Sequence, residues 1–181
     1  MKSKGRQVLS EVFTVGHSTK TLEEFIQTLK QYDIKKVVDV RTMPRSRYNP
    51  QFNKETFKRS LNAEGIRYLH MPGLGGLRHP VKNSPNAAWR NASFRGFADY
   101  MQTEEFKKNL DVVIKLIKKE RIVLMCAEIL PWRCHRSLIS DALFTRGILA
   151  KHIFSPTNCK DHEITPWAKI KGRLLIYPGP S

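Results

Sequence analysis

The chain alternates short β-branched runs with stripes of apolar residues at helical spacing. Val12 to Val15 is the first run, closed by Gly16. Thr21 and Glu24 then stand at capping-box spacing, ahead of Leu22, Phe25, Ile26 and Leu29 on one helical face. Lys36 to Val40 is a second strand. Pro44 and Pro50 keep the chain out of regular structure until a helix can start near Asn53, and Gly65 ends that helix before a third strand, Ile66 to His70. From Met71 to Asn91 there is no periodicity, and glycines and prolines mark a long loop of a kind that is functional or mobile; Gly73 to Asn91 is expected to be the most mobile internal segment and to order over a ligand. "GFADYMQTEEF" reads as a short helix leading to a longer one with Phe106, Leu110, Val113, Ile114 and Ile117 on its apolar face. A fourth strand over Ile122 to Met125, a helix over Ser137 to Arg146 stopped by Gly147, and a fifth strand over His152 to Phe154 complete the pattern.

Strands that alternate with helices are joined as parallel neighbours by right-handed crossovers, which predicts an α/β three-layer sandwich with a mainly parallel central sheet, Rossmann-like in character. A chain of 181 residues with 40% hydrophobic content suits one domain, over residues 12–181, preceded by a basic tail over residues 1–11. The first residues lack the apolar run of a signal peptide, and no stretch is long enough to cross a bilayer, so the expectation is a cytoplasmic protein without a membrane partner. The three cysteines Cys126, Cys134 and Cys159 are expected to be reduced.

Charge changes the picture most. With 32 Lys plus Arg against 16 Asp plus Glu, the formal net charge is +16, which favours a polyanionic partner. Between Arg41 and Arg95 eleven basic residues face two acids, Glu55 and Glu64, so this segment carries +9 of the excess. Tyr48, Phe52, Tyr68, Trp89 and Phe94 are interleaved with those charges, as on surfaces that pair with phosphates and stack on bases; a solvated basic face over core aromatics gives the same pattern.

Ligands on parallel sheets sit beyond the carboxyl ends of the strands. Those positions hold Gly16, His17 and Ser18 after the first strand, Asp39, Arg41 and Arg45 after the second, Gly73, Gly75 and Gly76 after the third, and Cys126, Glu128 and Arg133 after the fourth.

The blocks "VGHST", "VVDVRTMPRSRYNPQFN", "LGGLR", "FADYMQTEEF", "LMCAEILPWRCHRSLI" and "HEITPWA" follow one another from about Val12 to Tyr177. In this order they resemble the successive signature blocks of the domain-of-unknown-function 488 family. The resemblance implies an α/β fold and a shared site and brings no activity with it; a DNA-repair label borne by some members is a hint only.

The stretch "CAEILPWRCHR" admits several chemistries. A zinc deaminase would need its Cys-x-Glu and Pro-Cys-x-x-Cys halves well apart, whereas Pro131 follows Glu128 by three residues and only Cys134 remains of the second pair. A metal held by Cys126, Cys134 and His135, with Cys159 and His162, is disfavoured because adjacent side chains at a helix start point apart. No metal and no cofactor is expected. A strand-loop-helix connection does direct free N–H groups and a positive helix end toward an anion, and Arg133, His135 and Arg136 can add contacts. Cys126 and Arg133 resemble the Cys-x5-Arg loop of phosphatases and rhodanese-like proteins, with a gap of six.

The expectation is therefore an anion site at the strand carboxyl ends for a phosphate-bearing ligand, a nucleotide or nucleic acid. Ser18, Asp39, Arg41, Arg45, Gly75, Gly76, Arg133, His135 and Arg136 would bind or orient it, and Glu128, His17 and Cys126 would carry chemistry. A non-catalytic nucleic-acid-binding module and a thiol-dependent small-molecule or sulfur-transfer enzyme are the alternatives.

Overall fold

A computed structural model describes residues 10–180 of the chain. The basic tail read over residues 1–11 lies outside the described residues as far as residue 9, and the first strand already begins at Ser10. In chain order the elements are β1 Ser10–Gly16, α1 Leu22–Gln31, β2 Lys36–Asp39, α2 Lys54–Ala63, β3 Arg67–His70, α3 Ala92–Tyr100, α4 Glu104–Lys119, β4 Ile122–Cys126, α5 Arg136–Phe144, β5 Ile148–Ser155, β6 Asn158–Asp161, β7 Lys169–Lys171 and β8 Leu174–Ile176. The large sheet runs β3-β2-β4-β1-β5-β6, parallel except for β6. β7 and β8 form a separate antiparallel pair.

Alternation along the strands sorts the core into two layers. Val12, Val38, Leu124 and Cys126 pack toward Phe97, Phe106, Leu110, Leu138 and Ile139 of α3, α4 and α5. Val15, Val37, Val123 and Met125 pack toward Phe25, Leu29, Phe57 and Leu61 of α1 and α2. The result is a three-layer α/β sandwich. Its strand order differs from the 3-2-1-4-5-6 order of dinucleotide-binding sheets by the exchange of β1 and β4. Local signals set the helix ends: Thr21 and Glu24 close a capping box on α1, and Thr103 accepts from the Phe106 N–H at the start of α4.

The topology also locates a crevice. The connection leaving β1 runs toward β2 and β3, whereas the one leaving β4 crosses β1 to reach β5. β1 and β4 are adjacent, with Gly16 opposite Cys126, so their outgoing loops diverge and open a gap above their carboxyl ends. Gly16 is required there, because a Cβ on it would overlap the Glu128 carbonyl.

Two regions depart from the sequence reading. The fifth strand begins at Ile148, earlier than expected, and three more short strands follow it. The segment from Met71 to Asn91 is anchored: Asp99 accepts from Val81 N at 2.8 Å, Ser84 Oγ at 2.6 Å and Asn86 Nδ2 at 2.7 Å. Asn86 is buried, and it is tied in turn to the backbone of Tyr177.

Candidate functional site

A cavity of about 620 Å³ occupies the crevice between the β1 and β4 loops. Among the positions singled out from sequence, His17, Ser18, Arg41, Arg45, Gly76, Cys126, Glu128, Arg133 and His135 line it. Asp39, Gly75 and Arg136 do not.

Asp39 supports Arg41. Its Oδ1 accepts Arg41 Nε at 2.9 Å and its Oδ2 accepts Nη2 at 2.7 Å, with both side chains nearly out of solvent. The same carboxylate accepts the Tyr68 hydroxyl at 2.6 Å and the Arg41 backbone N–H at 3.1 Å. Burial and the Asp39 charge push the Tyr68 phenol well up, so it stays a donor. Arg41 is thereby fixed and its charge met from below.

His17 is fixed in the same network. Its Nδ1 donates to the Ser18 carbonyl at 2.8 Å, which leaves Nε2 to accept from Arg41 Nη1 at 3.3 Å, and its ring stacks on Phe52 at 4.2 Å. Burial pulls its pKa down to about 4. With both nitrogens engaged and the ring neutral, His17 orients Arg41 in this state. Gly75 is behind Thr42, which a Cβ would strike, and Thr42 in turn donates to the Gly76 carbonyl at 3.0 Å.

On the β4 side, Glu128 is half-buried and its Oε1 accepts the Leu130 N–H at 3.1 Å. It forms no ion pair with Arg41 or Arg136. It is the only carboxylate side chain lining the cavity among the described residues. Arg45 and Arg133 are exposed, line the cavity and form no ion pair there. Arg136 is the reverse case: fully buried, it donates from Nη2 to the Ile129 carbonyl at 3.0 Å and finds no partner for Nε or Nη1.

Sequence reasoning missed several features of the wall. Met43, Leu77 and Phe94 line the cavity, and Met43 and Leu77 expose large apolar side chains. Ser18 and Leu77 both have positive φ, 49° and 58°, a conformation that costs a leucine about 1–2 kcal/mol. No sequence signal marks a strained leucine. Cys134 also lines the cavity, and adjacent Cys134 and His135 do approach one another, Sγ to Nδ1 at 3.6 Å.

The basic segment divides. Arg41 pairs with Asp39, Arg67 with Glu120, Arg78 lies over the Tyr100 ring at 3.7 Å and Arg95 donates to the Trp89 carbonyl. Arg45, Arg47, Lys54, Lys58, Arg59, Lys82 and Arg90 are exposed and form no ion pair among the described residues. Of the interleaved aromatics, Phe52 is core, Tyr68 serves Asp39 and Trp89 stacks on Phe94, whereas Tyr48 is 89% exposed.

The family model described as "Domain of unknown function DUF488" matches residues 21–143. The chain belongs to the DUF488 family. The matched span holds Arg41, Arg45, Cys126, Glu128, Arg133 and Cys134 of the cavity wall, while His17 and Ser18 precede it. No curated protein and no solved structure matches the chain. No helix among the described residues is long and apolar enough to cross a membrane.

Proposed function

We propose that the cavity binds a phosphate-bearing ligand, a nucleotide or the end of a nucleic-acid strand, and that the protein is an enzyme acting on it. The observation that carries this reading is the imbalance of the wall: three guanidinium groups, Arg41, Arg45 and Arg133, face one carboxylate, Glu128. Arg41 is already compensated by Asp39, so the charge that calls for an anion is that of Arg45 and Arg133. The apolar rim of Met43, Leu77 and Phe94 suits a base or another flat apolar group attached to the phosphate. Glu128 is the proton-transfer group in this reading, since its carboxylate is free of ion pairs, whereas His17 is spent on Arg41. Three unpaired thiols suit a reducing compartment, and we place the protein in the cytoplasm.

Exposed Tyr48, with exposed Arg47, Lys54, Lys58 and Arg59 close to it in sequence, favours the nucleic-acid form of the ligand. Titration of a single-stranded oligonucleotide and of a nucleoside monophosphate at several salt concentrations separates the cases. A strand that engages this surface loses affinity with a log–log slope of roughly −0.7 per phosphate neutralised, so several contacts give a steep line. Equal, shallow slopes for both probes point to a nucleotide pocket; failure of both to bind at low salt overturns the proposal. Glu128→Gln should retain binding and abolish turnover of whichever probe is processed.

A further inference from the structure

Anion binding leaves part of the cavity floor unused. Cys126 ends β4, and the 3-10 turn Pro131–Arg133 folds the chain back so that Cys134 returns to the same point. The two Sγ atoms lie 3.1 Å apart, with the Cys134 thiol donating to Cys126, and both residues line the cavity. The Arg136 N–H, at the first residue of α5, donates to Cys134 Sγ at 3.4 Å. His135, held by its Nε2 on the Val40 carbonyl at 3.2 Å, turns Nδ1 toward the same sulfur.

Beside this pair sits a charge that nothing else answers. The Arg136 guanidinium is wholly buried, forms no ion pair among the described residues, and has two N–H-bearing nitrogens, Nε and Nη1, without partners. Guanidinium cannot shed its proton, and a buried charge without a counter-charge is costly. Arg41 meets this demand with Asp39; Arg136 has the two thiols in its field.

We propose that Cys126 and Cys134 form a redox-active dithiol that reduces a small anionic disulfide in a single stoichiometric exchange, with Cys126 as nucleophile and Cys134 as resolving thiol. The assignment of an anionic substrate rests on the anion-binding reading of the same cavity. Burial opposes ionisation of Cys126, but the Cys134 hydrogen bond and the Arg136 charge outweigh it and hold its pKa below the ordinary thiol value. The hydrogen bond to Cys126, together with burial, pushes Cys134 well up, so Cys126 is the thiol of the pair that ionises first. The protonated Cys126 donates to the Glu128 carbonyl at 3.3 Å, a bond surrendered on ionisation.

In the first step the Cys126 thiolate attacks one sulfur of the substrate disulfide; a Cys126–substrate bond forms, the substrate S–S bond breaks, and a thiolate leaves and takes up a proton. In the second, Cys134 gives its proton to His135 Nδ1 or water and attacks Cys126 Sγ, which expels the second substrate thiol. Two protein thiols are oxidised to one disulfide and one substrate disulfide is reduced to two thiols.

The test uses the full chain, reduced, with oxidised glutathione as the anionic disulfide, followed by blocking of remaining thiols and peptide mass mapping. The wild type is expected to yield a Cys126–Cys134 disulfide and Cys134→Ser a glutathione adduct at Cys126, while Cys159, whose pKa is raised chiefly by burial, reacts more slowly. The pH profile of Cys126 alkylation should lie below that of Cys159, and Arg136→Lys, if folded by circular dichroism, should move it upward. Adducts on Cys159 with Cys126 and Cys134 untouched, or coincident pH profiles in the wild type, overturn the proposal. Phosphate titration of Cys126→Ser separates the two readings: retained phosphate binding beside an inert dithiol sinks the dithiol alone, and a working dithiol without phosphate binding in the wild type sinks the anion site alone.

Discussion

Asp39 and Arg41 hold each other in a two-pronged ion pair below the cavity, Nε to Oδ1 at 2.9 Å and Nη2 to Oδ2 at 2.7 Å. Removing one partner leaves the other charge buried and unmatched. Asp39→Asn should therefore cost about 3–5 kcal/mol in denaturant unfolding, while the double change Asp39→Asn with Arg41→Met should cost less than the single one. A single-variant loss under about 1 kcal/mol would show that Arg41 finds solvent or another partner.

Stability should fall as the pH drops below the ordinary histidine value. Burial lowers His17 and His135 to about 4 and His152 to about 3, from an ordinary value of 6.5. Above 6.5 both folded and unfolded chains hold these rings neutral. Below it the unfolded chain binds protons that the folded one refuses, so stability drops until the folded pKa values are reached near 4 and 3. By pH 5, buried His17 and His152 should each remove roughly 2 kcal/mol. A melting temperature unchanged from pH 7 to pH 5 would contradict these environments.

Asp141 gathers the carboxyl-terminal segment. It accepts His162 Nε2 at 2.7 Å, Thr165 Oγ1 at 2.6 Å and the Tyr177 hydroxyl at 2.7 Å, and His162 bridges to His152 at 2.9 Å. Asp141→Ala should cost at least about 3 kcal/mol through the unpaired donors it leaves. Hydrogen exchange should rise first in residues 162–177; uniform loss across the fold would mean the segment is held by other contacts.

The segment 71–91 should be protected without ligand. Val81 N is bonded to Asp99, and the Ala88 N–H to the Tyr177 carbonyl at 3.0 Å. Slow exchange at Val81 and Ala88, made fast by Asp99→Ala, is the expected result. Fast exchange there in the wild type would restore the mobile-loop expectation.

Legibility followed the range of the interactions. The strand and helix periods of residues 12–40 and 104–126 come from local alternation, and the strand-end rule placed Arg41, Arg45, Cys126, Glu128 and Arg133 around one opening. β6, β7 and β8 were missed because "NCKD", "KIK" and "LLI" are three or four residues long and carry no strand-length alternation. The anchoring of 71–91 depends on Asp99 and Tyr177, partners that lie outside any local window. Arg136 was grouped with Arg133, yet one belongs to the buried face of α5 and the other to an exposed 3-10 turn. A signal for the Asp141 cluster was present: a carboxylate three residues after Leu138 lies on the apolar stripe and demands buried donors.

The central claim is that the unpaired guanidinium groups of Arg45 and Arg133 hold a phosphate. Calorimetric titration of inorganic pyrophosphate into the wild type and the Arg45→Ala/Arg133→Ala double variant tests it most directly, because both residues are exposed and their loss leaves the fold standing. Saturable one-site binding to the wild type, weakened about tenfold or more in the double variant, is the predicted result, corresponding to roughly 1.4 kcal/mol or above. Equal affinity in both proteins, or no binding to the wild type at low salt, would contradict the account.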